Sequence, residues 1–393
     1  MKGTTATLIA IVFLLAILGV VMVASTSMVW ADDISGCGNF NRHLLWIVLA
    51  LTGMLLMMRV DYHLLARHSP WILAATALLL MAVLVPGIGV KINGARRWLR
   101  FGGFSVQPSE IAKFALILFV AAWLVRVPGG ARSFRWAFLP VLGVAGFIAG
   151  LIVIEPDLGT ALLLLIVGTT LGILAGFRML HIAPLVLPMI PFFYLAVWNV
   201  PWRRERLLAF VNPWKYYDGA GYQLCQALIA LGSGGLTGTG PGESHQKLGF
   251  LPEAIHDFVF AIFGEEFGFV GALIVLGLFV AFVWYGTKVA MHARDVLGFL
   301  LASGVTMAIG LQALINIAVV TGSMPTKGIA LPFVSYGGSS LFCLMCLVGV
   351  LLNVSRQAEM AEAARAPAAA PAAPAEPVSA PQAQPVASQG GLS

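Results

Sequence analysis

Charge is what this chain has least of. Only 10% of its 393 residues are Asp, Glu, Lys or Arg, while 59% are hydrophobic; a soluble domain carries about 25% charge. A water-facing surface cannot be built from so few charged groups, so a soluble enzyme is excluded and a polytopic membrane protein is expected. Alternating polar and apolar residues over strand-length segments are also lacking, and the continuous apolar runs exclude a transmembrane barrel. Cysteine is scarce, with four in the chain. Cys343 and Cys346 form a CxxC inside the last apolar run, but no histidine or third cysteine stands near, so they read as small apolar filler. No nucleotide-binding loop, zinc-ligand spacing or dinucleotide fingerprint occurs. The net charge of +6 is scattered through loops, with no basic stripe suited to nucleic acid.

What is present is apolar length. A spanning helix needs about 20 apolar residues. Ten segments qualify: 7–29, 44–60, 70–87, 111–127, 136–153, 159–176, 181–198, 258–286, 297–321 and 337–354. The first is too long for a signal-peptide core and lacks a clean cleavage site, so it reads as a span. The expected fold is an all-α polytopic integral membrane protein of about ten transmembrane helices. A large extracytoplasmic loop, 199–257, precedes helix 8. Within it, Leu224, Leu228 and Leu231 at helical spacing suggest a short helix at the interface. From 357 to 393 the chain turns to Ala, Pro, Gln and Ser and reads as a disordered cytoplasmic tail.

Ten crossings put both termini on one side. With that side cytoplasmic, 11 of the 23 basic residues fall inside and as many outside. The outer ones are bunched at 91–100 and 203–206. If those two clusters are kept there by function, the remaining loops favour cytoplasmic termini.

Ionisable groups near membrane depth are costly, and four clusters become site candidates on that ground. In KINGARRWLRFGGFSVQPSEIAK (91–113), Arg96 and Arg97 serve either as headgroup anchors or as a phosphate site that Lys113 could share. Ser109 is placed to cap a helix beginning near Glu110, and Glu110 is placed to pair with Lys113 three residues on. Glu155 and Asp157 flank Pro156 between two spans, with Asp157 a candidate N-cap. Glu253, His256 and Asp257 run into a long apolar helix, where Asp257 is either an N-cap or a general base. Capping would lower its basicity and partial burial would raise it. The stretch 321–340, TGSMPTKGIALPFVSYGGSS, combines Lys327 with irregular backbone that only a polar cavity or packed protein can satisfy at membrane depth. Composition and spacing alone leave an enzyme and a carrier equally open.

These clusters resemble the SEDS family of membrane proteins, which act in cell-wall growth, division and sporulation. The resemblance rests on NGARRWLRFGGFSVQPSEIAKF, IVIEPDLGTALL, ALGSGGLTGTG, QKLGFLPEAIHDFVFAIFGEEFGFVG and TGSMPTKGIALPFVSYGGSSL. All five occur in the family's order over about 93–341, within a transmembrane domain taken as 1–356. The PTKG before LPFVSYGGSS looks like the division branch, a feature shared with the sporulation branch.

The resemblance implies a peptidoglycan glycosyltransferase that polymerises lipid II outside the cytoplasmic (inner) membrane, at the division septum. The implied partners are a class B penicillin-binding protein and other divisome proteins. Asp257 matches the family's essential acid. The family's histidine two places before it is replaced by Ile255, and His256 stands where threonine is usual. Asp257 would take the proton of a sugar 4-hydroxyl in one inverting displacement of undecaprenyl pyrophosphate. Arg96, Arg97, Lys113 and Lys327 are the candidates to hold that leaving group. Gln107, Ser109, Glu110, Glu155, Asp157, Lys247, Glu253, His256, Ser335, Tyr336, Gly337, Gly338 and Ser339 fall in the family's motifs as cavity or supporting residues. No cofactor is fixed by the sequence, and a divalent cation (Mg or Mn) is left open. A lipid II flippase and a non-catalytic division scaffold are the competing readings.

Overall fold

The structure, a computed structural model, describes residues 2–28, 34–92, 94–101, 104–128, 130–183, 187, 191 and 194–365. Its principal helices are α1 (Lys2–Met28), α2 (Ile34–Arg59), α3 (Tyr62–Leu84), α4 (Pro108–Arg126), α5 (Leu139–Ile154) and α6 (Leu158–Ala175). After these come α7 (Pro201–Val211), α8 (Tyr222–Ser233), α9 (Val259–Met291), α10 (Val296–Val320) and α11 (Gly338–Arg365). Among the described residues nine helices are long and apolar enough to cross a membrane, α5 counting with the π turn Phe134–Phe138 before it. The expected span 181–198 is described only in part: residues 184–186, 188–190, 192 and 193 lie outside the described residues, and Tyr194–Trp198 is a π turn.

Helix ends follow their local chemistry. Asp61, Asp157 and Asp295 accept hydrogen bonds from first-turn amides of α3, α6 and α10. Gly176, in the left-handed region at φ 112°, closes α6. Helix α4 starts at Pro108, with Gln107 in the cap position, and Ser109 lies in the first turn, accepting from Gln107 Nε2 at 2.8 Å. Proline's fixed φ and missing N–H suit the first helical position, so the helix begins earlier than a serine cap would allow. At the other end of the chain α11 continues to Arg365, beyond the tail boundary expected near 357. Residues 356–365 are rich in Ala, Glu, Met and Arg, all good helix formers. Residues 366–393 lie outside the described residues.

Helices α4, α10 and α11 are the most enclosed, while α2, α3 and α9 present wide apolar faces outward. Small residues let α2 and α11 approach closely: a Cβ on Gly349 would stand 2.5 Å from the Met54 carbonyl oxygen.

The all-α expectation misses one element. Residues 89–106 form a three-stranded antiparallel sheet, β1 (Gly89–Ile92), β2 (Ala95–Phe101) and β3 (Phe104–Val106), in the order β1-β2-β3. Asn93–Gly94 is the hairpin signal that could have revealed it. Val90 pairs with Trp98 and Lys91 with Arg96, so Arg97 has no partner on β1. That is a bulge, and a bulge re-aims the side chain it carries.

The loop after α8 enters a break in α9. Gly268 there has φ 67° and ψ −167°, and the 235–240 backbone supplies the bonds that a continuous helix would have made. Phe269 N donates to Gly235 O at 2.9 Å and Val270 N to Leu236 O at 3.1 Å. Thr239 N and Gly240 N donate to the carbonyls of Glu265 and Glu266. Below the break Lys247 Nζ donates to Glu266 Oε1 (2.9 Å), Ser25 Oγ (2.9 Å) and Gly242 O (2.6 Å). Glu265 accepts from the Ser244 hydroxyl and from the amides of His245 and Gln246. Irregular backbone is thereby satisfied within protein, the condition for its presence at membrane depth. The amphipathic helix expected after Gly221 is α8. Leu224, Cys225, Gln226, Ala227 and Ala230 on it are buried, so it packs within the protein at this end of the bundle.

Candidate active site

Asp257 stands one residue before the N-cap of α9. The cap position is held by Phe258, and no side chain bonds the first turn. The capping reading of Asp257 is therefore not what the fold adopts. Its main chain is fixed from both sides: Asp257 N donates to Glu253 O at 3.1 Å, and Asn316 Nδ2 donates to Asp257 O at 2.7 Å. Glu253 reaches this turn at φ 54°. The carboxylate is half-buried and lies over Gly328, where a Cβ would come within 2.7 Å of Oδ2. Burial raises the Asp257 pKa to about 6. The neighbouring His256 and Arg97 work against that rise, and the Glu253 and Asp157 charges add to it. An uncapped acid with a raised pKa has the properties of a general base near neutral pH.

Around it stand the groups carried by the other clusters. Arg97, re-aimed by the β2 bulge, donates from Nε to Glu155 O at 2.8 Å and from Nη2 to Pro156 O at 2.6 Å. Asp157 caps α6 through Thr160 N (3.1 Å) and Thr160 Oγ1 (2.9 Å). Glu155 is fully buried, and neither carboxylate oxygen has a hydrogen-bond partner among the described residues. Burial first, and the Asp157 charge second, raise its pKa to about 8, so it is largely a neutral acid at pH 7. Lys327 is pulled below its ordinary pKa by burial, with Asp157 opposing that shift.

Arg206 on α7 also belongs to this charge cluster. Burial and then Arg97 lower its pKa, and Asp257 supports its charge. The 203–206 bunching is visible in the sequence. The charge count carried that signal, but nothing in a linear pattern tells which of Arg203, Arg204 and Arg206 turns inward.

The floor of the site is a polar face of α10. Asn316 Nδ2 bonds Ile329 O at 2.7 Å as well as Asp257 O, and Gln312 Nε2 bonds Ala330 O at 2.9 Å. These two residues were missed. Their signal was an amide pair one turn apart inside an otherwise apolar span. Lys113 joins the same floor from α4, paired with Glu110 Oε2 at 2.7 Å and donating to Gln312 Oε1 at 2.7 Å. It is 3% exposed and holds the framework from below.

The 331–340 backbone is tied in by its serines. Ser335 Oγ accepts from Leu331 N, Ser339 Oγ from Gln107 N, and Ser340 Oγ donates to Glu110 Oε2. Gly338 is required by close approach, since a Cβ there would fall 2.1 Å from Trp46 Nε1. Gly337 sits in the turn leading into α11, its carbonyl accepting from Leu341 N. Tyr336 N donates to Ile255 O at 3.0 Å, and the Tyr336 ring meets the edge of His256 with centroids 5.5 Å apart. His256 turns toward Glu253, Nδ1 to Oε2 at 3.1 Å.

The structure thus gathers Asp257, Arg97, Glu155, Asp157, Lys327 and Arg206 at one end of the bundle. Arg96 pairs across the sheet with Lys91, and Lys247 belongs to the α9 clasp. Among the described residues no group of three or more His, Cys, Asp or Glu side chains is placed to hold a metal ion.

A family model for FtsW/RodA/SpoVE cell cycle proteins matches residues 5–360. The chain belongs to this family. It is 41% identical over 343 residues to a probable peptidoglycan glycosyltransferase FtsW of Geobacter metallireducens, covering 87% of this chain and 92% of the relative. It is 42% identical over 356 residues to stage V sporulation protein E of Bacillus subtilis, covering 90% and 97%. Among solved structures it resembles a chain of a peptidoglycan synthase complex described as coordinating polymerization and crosslinking, with TM-score 0.74 and 28% identity over 89% of this chain and 97% of that one. It also resembles Thermus thermophilus rod shape determining protein RodA, with TM-score 0.65 and 28% identity over 89% and 96%. The SEDS resemblance of the five motifs thus extends over nearly the whole FtsW/RodA/SpoVE-type chain.

Proposed function

We propose that this chain is a peptidoglycan glycosyltransferase that polymerises lipid II, with Asp257 as its general base. The observation that carries the assignment is an uncapped, half-buried carboxylate beside Arg97 and Arg206. A sugar hydroxyl is a very weak nucleophile until its proton is removed. As Asp257 accepts that proton, the hydroxyl oxygen bonds to the anomeric carbon of the lipid-linked donor. The bond from that carbon to the pyrophosphate oxygen breaks on the opposite face, and the electron pair leaves with undecaprenyl pyrophosphate. One displacement converts an α-linked donor into a β-1,4 glycan. The leaving group needs positive charge, which Arg97 and Arg206, both acting on the Asp257 charge, and Lys327, beside the glycine that Asp257 overlies, can supply. Lys113 and Arg96 support from the floor and from the sheet.

Ten crossings fit the chain's ends. Thr5 Oγ1 bonds Ser355 Oγ and Glu359 Oε1 at 2.7 and 2.6 Å, so the start of α1 and the end of α11 share one end of the bundle, as an even number of crossings would require. That end is opposite Asp257. With it in the cytoplasm, the site faces the outer side of an inner membrane, where lipid II would be polymerised at the septum. A class B penicillin-binding protein is the partner favoured by the likeness to the synthase-complex chain.

The test uses the purified full chain with its transpeptidase partner and lipid II in detergent, where no leaflet has to be crossed. Wild type should make glycan chains, and Asp257→Ala should make them about 100- to 10,000-fold more slowly. Equal chain formation by the variant would remove Asp257 from the chemistry. No chains from either protein would favour a carrier.

A further inference from the structure

At the end of the bundle opposite Asp257, three arginines from three separate elements converge on one recess. Arg59 ends α2, Arg294 lies between α9 and α10, and Arg356 is on α11. With Asp61, Asn353, Gln357, Met360 and Ala361 they line a space of about 600 Å³. None of the three guanidinium groups has a hydrogen bond or ion pair among the described residues.

Asp61 is the one carboxylate in the lining, and Asp295 and Glu359, the acids beside Arg294 and Arg356 in the chain, hold other groups. Asp61 Oδ1 accepts from His63 N at 3.0 Å and Gln357 Nε2 at 3.1 Å. Asp295 is held by Tyr62, His63 and the Gly298 amide. Glu359 is held by Thr5.

The walls are fixed rather than fluid. Asn353 Nδ2 ties α11 to the end of α2 through Met58 O (2.7 Å) and Val60 O (3.0 Å), and Gln357 bonds back to Asn353. A bias of positive charge toward one side of a membrane would place arginines at this end. It does not explain why three converge on a preformed recess whose lining holds a single carboxylate.

The recess also opens onto apolar surface. Leu55 and Leu56, four and three residues before Arg59 and so on its face of α2, are outward-facing. Val296, two residues after Arg294, is exposed as well, and Met360 forms part of the recess wall. Cations at the mouth with acyl-compatible flanks match an amphiphile whose head is an anion. An arginine fork suits phosphate oxygens, and basic pockets between transmembrane helices commonly take anionic lipid headgroups. A zwitterionic headgroup brings its own cation and would leave the arginines uncompensated.

We propose that this recess binds the phosphodiester headgroup of an anionic phospholipid from the adjoining leaflet. The inference is independent of the glycosyltransferase reading and involves none of its residues.

The test is native mass spectrometry of the full chain in detergent, titrated separately with phosphatidylglycerol and phosphatidylcholine. Wild type should retain phosphatidylglycerol in preference. The combined variant Arg59→Gln, Arg294→Gln, Arg356→Gln should lose about a hundredfold in that affinity, at about fivefold for each cation near an anionic surface. Replacing Arg132, Arg135 and Arg178, at the same end but outside the recess, should leave it unchanged. If the triple variant does not fold, each single replacement should still cost about fivefold. Unchanged retention by the recess variants would overturn the proposal. So would equal occupancy by phosphatidylcholine, or displacement by millimolar inorganic phosphate, which would mark a site for soluble anions.

Discussion

The Asp257 carboxyl is placed where burial and ionisation oppose each other. Burial lifts its pKa to about 6, and Arg97 pulls it down. Because the base must be ionised to accept a proton, kcat/KM should fall about tenfold per pH unit below 6 and level off above it. Folding stability takes the opposite sign: a raised carboxyl pKa favours the folded state while the group is protonated, and this contribution is lost as pH rises through about 6. Arg97→Gln removes a charge that lowers the Asp257 pKa, so its acid limb should move above pH 6 while the rate drops. Polymerisation measured from about pH 4.5 to 8 decides the point. A wild-type profile that stays flat down to pH 4.5, as the ordinary aspartate value near 3.8 would give, would show that the base is solvated.

At the scale of elements, the α9 break and the loop that fills it act as one unit. Lys247 and Glu266 are 6% and 1% exposed and joined at 2.9 Å. Removing one partner of a buried pair leaves an uncompensated charge and costs about 3–5 kcal/mol. Lys247→Met should therefore lower the thermal unfolding temperature in detergent strongly and depress polymerisation through the displaced 244–257 loop. Adding Glu266→Gln should restore part of both, because the orphaned charge is gone. If Lys247→Met melts like wild type, the clasp does not hold the loop. The apolar run of α9 was legible in its sequence. The break was not, because Gly268 is one glycine among several in that run and only the incoming 235–240 backbone gives it a partner.

For the whole molecule the prediction concerns sidedness. In a cysteine-free background, Glu243→Cys on the site-side loop should react with a membrane-impermeant maleimide in intact cells. Glu362→Cys near the end of α11 should react only after permeabilisation. The reverse pattern would put Asp257 in the cytoplasm, on the wrong side for lipid II polymerisation. Charge counting could not settle this, since the basic clusters at 91–100 and 203–206, which include Arg97 and Arg206, offset the basic residues of the loops expected on the other side.

The sequence by itself determined the membrane class, the nine described spans and the clusters from which the site is drawn. Long apolar runs and ionisable groups beside them are local properties, and desolvation cost makes them conspicuous wherever they occur. Only the tertiary structure decided the rest. It chose Arg97 over Arg96 by a one-residue bulge, left Asp257 uncapped, turned Asn316 and Gln312 toward the 329–330 carbonyls, and set Lys113 in the floor. Each of those outcomes depends on hydrogen-bond partners far away in the chain, and a linear pattern does not record which distant carbonyl a side chain will meet.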